Sequence, residues 1–95
     1  MIKIIRTIAN QIIIGKVWED SKTITIKNPY SVMPTMEGIQ LAPMDAEIIG
    51  RELDITRISI DNVIYCTEPG EEMTDAYKQA VNPSTIEGEN KKLIL

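Results

Sequence analysis

The stretch Ile12 to Pro29, Ile-Ile-Ile-Gly-Lys-Val-Trp-Glu-Asp-Ser-Lys-Thr-Ile-Thr-Ile-Lys-Asn-Pro, constrains the fold more than any other part of the sequence. Two β-branched runs are separated only by Glu19-Asp20-Ser21-Lys22, and the second alternates as Thr23, Ile24, Thr25, Ile26, Lys27. That two-residue period belongs to a half-buried strand, so the stretch predicts a β-hairpin. Gly15, in the middle of the first arm, predicts a sharp bend or bulge where the sheet folds over itself.

The flanking sequence extends the same theme. Ile2 to Ile8, rich in isoleucine with Lys3, Arg6 and Thr7 between, suits a strand with one partly wet face. Ala9-Asn10-Gln11 then makes a turn in which Asn10 accepts the left-handed conformation. The third strand runs from Thr23 to about Val32 through Asn28-Pro29, where proline marks an edge or a break in pairing. Met33 to Gly38 is a turn segment with two exposed methionines, Ile39 to Ala42 a strand closed by Pro43, and Met44 to Arg51 a loop or short helical turn. From Leu53 to Ile60 the alternation changes phase: Leu53, Ile55 and Arg57 fall on one side, Ile58 and Ile60 on the other. A twist or bulge is expected near Arg57. Asp61-Asn62 turns the chain into a last short strand, Val63 to Cys66.

After Gly70 the period becomes helical. Met73, Ala76, Tyr77, Ala80 and Val81 form one apolar stripe, Glu71, Glu72 and Asp75 crowd the N-terminal end, and Asn82-Pro83 stops the helix. A helix over about 70–82 is expected to pack across one mouth of the protein's own barrel. The expected fold is mainly β: a small, strongly bent barrel of five to six strands with a C-terminal α-helix, occupying residues 1–82. Residues 83–95 are expected to be a flexible tail whose last five, Lys91 to Leu95, are able to add to a strand edge.

Composition narrows the chemistry. Ninety-five residues make one domain that hides only about two-thirds of its unfolded surface, so a neighbouring subunit is a plausible completion of the core. With no histidine and a single cysteine, zinc sites, Cys-His dyads and Ser-His-Asp triads are not encoded within this chain. The five glycines are scattered rather than clustered around a phosphate, and neither a metal nor a cofactor is signalled. Cys66, at the end of an apolar run, is expected to be a buried thiol and has no internal disulfide partner. Paired carboxylates such as Asp45 with Glu47, or Glu71 with Glu72, are the features nearest to a catalytic pair; on a loop or helix end such pairs are usually solvated or capping, so no enzyme is expected. No apolar run approaches the roughly 20 residues of a membrane span and no signal peptide opens the chain, which leads to the expectation of a soluble, cytoplasmic protein. The net charge is −4, yet residues 1–30 hold five cations against two carboxylates, Glu19 and Asp20. These lysines either sit on the polar side of exposed strands, guarding their edges, or form a basic face.

Two segments carry a family resemblance. Asn10, Gly15, Val17 and Asp20 have a spacing similar to the first signature of Sm and Sm-like proteins, and Ile58-Ser59-Ile60-Asp61-Asn62-Val63-Ile64-Tyr65 resembles the second, where a long fourth strand turns tightly into a short fifth. The likeness covers roughly residues 2–33 and 52–66. The ending, a proline followed by acidic residues and a tyrosine-containing helix, resembles the small Sm-like proteins of marine and cyanobacterial phages.

The resemblance implies a barrel whose fourth and fifth strands pair with those of the next copy, closing a homo-oligomeric ring of five to seven subunits. Elementary physics leads to the same place, because a small open barrel leaves two unpaired edges that a head-to-tail contact removes. Met33, Met36 and Met44 are candidates either for contacts between copies or for filling gaps in their own core. The family also implies single-stranded RNA binding: Asp20 has a counterpart in its base pocket, and a gap-free match to the bacterial Sm-like RNA chaperone places Arg57 at its basic residue. The pattern is altered: Thr23-Ile24 stands at the expected asparagine site and Ser59-Ile60 where Arg-Gly would fall. What remains is an electrostatic and stacking surface of Lys22, Arg57 and Asn62, with Trp18 or Tyr30 as the aromatic. The alternative is a protein-interaction or assembly ring of phage type that binds no nucleic acid, in keeping with the acidic pI. In a phage the location would be the host cytoplasm.

Overall fold

The computed structural model describes residues 1–82 together with Leu93 and Ile94. Its strands are β1 (Ile2–Thr7), β2 (Ile12–Glu19), β3 (Thr23–Thr35), β4 (Gly38–Pro43), β5 (Ile55–Ser59), β6 (Val63–Thr67) and β7 (Leu93–Ile94). Two helices interrupt them: α1 (Ala46–Ile49), a single turn, and α2 (Glu71–Val81). All pairings are antiparallel, in the order β6-β1-β2-β3-β4-β7, with β5 added on β3. The sheet does not close. β5 and β6 are joined by a 3₁₀ turn, Ile60–Asn62, and hydrogen bond to β3 and β1 respectively rather than to each other.

The sheet bends where the hairpin places Gly15 against Asn28. The β2–β3 register shifts between Ile14 and Lys16, and Asn28 holds a left-handed φ of 52°. Asparagine tolerates that region better than a β-branched residue does. At this point β3 changes partners: Thr23–Lys27 pair with β5 and Tyr30–Thr35 with β4. Pro29 falls between the two ladders, where its missing N–H costs no hydrogen bond to either β4 or β5. One long strand, sharply bent, therefore serves two edges.

β2 and β3 lie mid-sheet and contribute buried residues to two clusters, one on each side. Ile13, Val17, Ile24 and Ile26 pack with Ile5 and Met44 on one side. Ile14, Tyr30, Val32 and Leu41 pack on the other side against Ala76, Tyr77 and Ala80 of α2. A mainly β antiparallel sheet with a covering C-terminal helix agrees with the sequence, β7 bringing the strands among the described residues to seven, and the helix buries the stripe its spacing predicted. Two tyrosines fasten it. The Tyr77 hydroxyl lies 2.8 Å from the Asn28 carbonyl and 3.2 Å from that of Lys27, and the Tyr30 hydroxyl donates to the Ala80 carbonyl at 3.1 Å. The two rings meet edge to face, 5.7 Å between centroids.

Burial pushes both phenols up to about 12, with Glu52 adding to the effect on Tyr30 and Tyr30 adding to that on Tyr77. Below pH 10 each is neutral whether the chain is folded or not, so their packing contributes in full. Above it the unfolded chain releases protons that the folded chain retains, and stability falls as pH rises from 10 to 12. In a Tyr65→Phe background, phenolate absorbance and loss of the β circular dichroism signal are expected to rise together in that interval. Titration of both phenols near pH 10 without unfolding would contradict the packing described.

Two details differ from the sequence reading. β3 continues to Thr35 instead of ending near Val32, because β4 pairs with it through Thr35–Gly38. No bulge occurs at Arg57: β5 pairs in unbroken register from Ile55 to Ser59, and the apolar pattern changes phase because Ile55 lies on the exposed face while Ile58 packs against the core from the other. Leu93 and Ile94 pair with Leu41 and Gln40, as the terminal edge-adding segment was expected to do, while the expected flexibility of 83–92 and 95 lies outside the described residues.

Candidate nucleic-acid interface

The β2–β3 turn is built on Asp20. Its Oδ1 accepts from the N–H groups of Lys22 and Thr23, both at 2.8 Å, and the Thr23 hydroxyl lies 3.1 Å from both carboxylate oxygens. The Lys22 and Thr23 N–H groups, then the Thr23 hydroxyl, hold this carboxyl below its ordinary value. Asp20 is thus occupied in shaping the turn, which begins one residue later than the sequence suggested because Glu19 still belongs to β2. The turn presents Lys22, whose carbonyl accepts from Ile60 N–H at 2.9 Å, so this lysine sits at the start of the 3₁₀ turn. Asn62 ends that turn, and its carbonyl accepts from Ile8 N–H beside the β1–β2 connection.

Arg57 lies elsewhere, two ladder positions from the Thr23–Ser59 pair. It pairs with Thr25, which on its other side pairs with Trp18. Directly paired residues point to the same face, so Trp18, Thr25 and Arg57 form a row across three strands. From Trp18 to Arg57 this spans about 10 Å at the usual strand spacing. The next row on the same face, about 7 Å along the strands, is Lys16, Lys27 and Ile55. No carboxylate stands in either row. Lys16, Lys27 and Arg57 are exposed and Trp18 is 54% exposed, a large aromatic left in solvent beside three cations. Lys78 of α2 joins this face across a groove that it lines with Ile2, Lys16 and Tyr77.

The structure therefore divides the four sequence candidates. Lys22 and Asn62 flank the 3₁₀ turn, Asp20 shapes the loop, and Arg57 belongs to the basic face. Tyr30 drops out as a stacking residue, since it is only 3% exposed and packed under α2. Trp18 takes that place. Lys16 and Lys27, two of the five cations that the sequence left between an edge-guarding role and a basic face, stand in one row beside that of Trp18 and Thr25 once the register is fixed by the Asp20 turn.

Catalytic chemistry has little to work with. Cys66 is half-buried and its thiol is raised by burial, then by the Glu19 carboxylate, to which it donates at 3.7 Å. A thiol raised in this way is a poor nucleophile. Glu19 is held in turn by Lys3 at 3.1 Å. Among the described residues no three His, Cys, Asp or Glu side chains gather as a metal-binding group, and no helix is long and apolar enough to cross a membrane. The chain matches no protein-family model, and no curated protein matches it in sequence.

Proposed function

We propose that this chain is a non-catalytic Sm-like protein that assembles into a homo-oligomeric ring of five to seven copies and binds single-stranded RNA across the Trp18–Arg57 face. The observation that carries the RNA reading is the row Trp18–Thr25–Arg57 with Lys16 and Lys27 beside it. A base stacks on the indole while the cations neutralise phosphates, a combination that holds single strands without reading sequence. It is notable in a chain whose net charge is −4.

Assembly is supported by the two open borders. β5 pairs only with β3 and β6 only with β1 among the described residues, and these elements and the turn joining them expose Ile55, Ile60, Ile64 and Tyr65. Pairing β5 of one copy with β6 of the next satisfies both edges and, repeated by rotation, closes a small SH3-type barrel chain into a ring. Light scattering of the purified chain is expected to give a mass of five to seven copies; a stable monomer at high concentration would remove the ring.

RNA binding is tested with labelled oligo-U and oligo-A at two salt concentrations. The Trp18→Ala variant is expected to lose about 1–3 kcal/mol of binding, one base's stacking, together with the fluorescence quenching that RNA causes. A Lys27→Ala, Arg57→Ala double variant is expected to lower the slope of log affinity against log salt by about 1.4, two single-strand phosphate contacts. Absence of binding at low salt would leave the protein-interaction ring, which the acidic net charge favours.

A further inference from the structure

The groove between α2 and the start of β1 lies one step beyond the exposed cations of the sheet. It is open, about 270 Å³ in volume, and lined by Ile2, Lys16, Tyr77, Lys78, Val81 and Asn82. That is just under the roughly 300 Å³ at which pockets for whole drug-sized ligands begin, so it suits one nucleotide-sized group. Ile2 and Val81 are half-buried and pack against the core under α2, which gives the groove apolar walls. Tyr77 adds a fixed wall, since its ring is buried and its hydroxyl donates to the carbonyls of Lys27 and Asn28.

The charge of the groove is one-sided. Lys16 of β2 and Lys78 of α2 reach it from two elements; both are exposed, and neither is ion-paired to a carboxylate among the described residues. No carboxylate lines it. The acidic residues of α2 stand toward its other end, Asp75 about one turn and Glu71 and Glu72 about two turns before Lys78. An anion here also meets the negative, C-terminal end of the helix dipole, so it depends on the two lysines. Lys16 joins the groove to the aromatic: it stands two residues from Trp18 on the same face of β2, about 7 Å along the strand.

We propose that this groove is a second nucleotide subsite of the RNA face, taking the neighbour of the nucleotide stacked on Trp18, with its base against Ile2 and Val81 and its phosphate between Lys16 and Lys78. The inference rests on the single-stranded RNA reading above and gives that reading a path. The strand runs from Arg57 past Trp18 and along β2 to α2, so the helix is part of the binding surface as well as a cover for the core.

The test titrates the full-length protein with oligo-U at low salt and reads two places at once. Trp18 is the only tryptophan, so its fluorescence reports the first subsite, while the methyl NMR signals of Ile2 and Val81 report the groove. Both are expected to change over the same concentration range. Lys78→Ala, at an exposed position, is expected to weaken binding severalfold and to lower the slope of log affinity against log salt by about 0.7, one single-strand phosphate contact. In that variant the Ile2 and Val81 shifts are expected to diminish while the quenching of Trp18 persists. Quenching with unmoved methyl signals, or a Lys78→Ala variant that binds and shifts as the parent does, overturns the groove and leaves the RNA reading standing. Absence of both changes overturns the RNA reading itself, and this inference with it. Methyl shifts given equally by inorganic phosphate at the same ionic strength mean a phosphate site without a base, and they overturn the proposal as well.

Discussion

Replacing Gly15 with alanine is expected to destabilise the protein by about 1–3 kcal/mol, and with valine by more. Glycine in a strand interior is ordinarily a weakness, and adding a methyl at an accommodating site stabilises by about 0.4–1 kcal/mol. Here the sign reverses because of the bend. A Cβ at Gly15 would overlap Ile26 Cγ2 and lie 3.0 Å from the Lys27 carbonyl oxygen. Neither neighbour can give way easily. Ile26 is fully buried and its branched Cβ admits few rotamers, while Lys27 is held in ladders on both sides. Urea and thermal melts would show the loss as a fall in Tm of roughly 5–20 °C for alanine in a domain this size. A neutral or stabilising Gly15→Ala would mean that β2 and β3 do not cross as closely as described. The functional consequence follows from position: Lys16, Trp18 and Lys27 all stand within three residues of the bend on one arm or the other, so the variant is also expected to disturb the face that holds them.

The hairpin was legible because its signals were local and redundant. Alternation in Thr23–Lys27, the short polar connection and Gly15 all specify the same two arms, and Asn10 was visible as a left-handed turn residue, with an observed φ of 67°. The helix was equally plain from its stripe. What sequence alone did not show was register. The Asp20 side chain fixes which residue faces which, and that decides that Trp18, Thr25 and Arg57 share a row. Placing the turn one residue early leaves Lys16 and Lys27 looking like ordinary exposed-strand lysines. Similarly, the change of phase across Arg57 was real, but alternation cannot distinguish a bulge from a regular strand that carries one isoleucine, Ile55, on its exposed face and another, Ile58, on its packed face. Tyr30 illustrates a third limit. Its neighbours Asn28 and Pro29 mark a loop-like segment, and only the packing of α2, fifty residues away in sequence, puts its ring in the core.

Tyr77→Ala is expected to cost about 3–5 kcal/mol, the range for deleting a large buried aromatic, and to release α2 from the sheet. In a domain whose total stability is on the order of 5–15 kcal/mol, that is about a fifth or more of the whole. Tyr77 is the largest fully buried side chain, sits in the middle of α2 and meets Tyr30 edge to face. Its hydroxyl also satisfies carbonyls at Lys27 and Asn28, where β3 is bent and changes partners. Two losses can be separated. Tyr77→Phe keeps the ring and leaves the Asn28 carbonyl short of a donor, for about 1–2 kcal/mol; the remainder in the alanine variant is cavity and lost packing. Because the helix is held to the sheet largely through this side chain with Ala76 and Ala80, hydrogen exchange across 71–81 should accelerate more than exchange in β1 and β2, a local detachment preceding global unfolding. Lys78 would leave the basic face with it, so the RNA binding proposed for that face is expected to weaken at low salt. Uniform acceleration across helix and sheet, or a loss below 1 kcal/mol, would show instead that the helix and the bend are not fastened to each other at this residue.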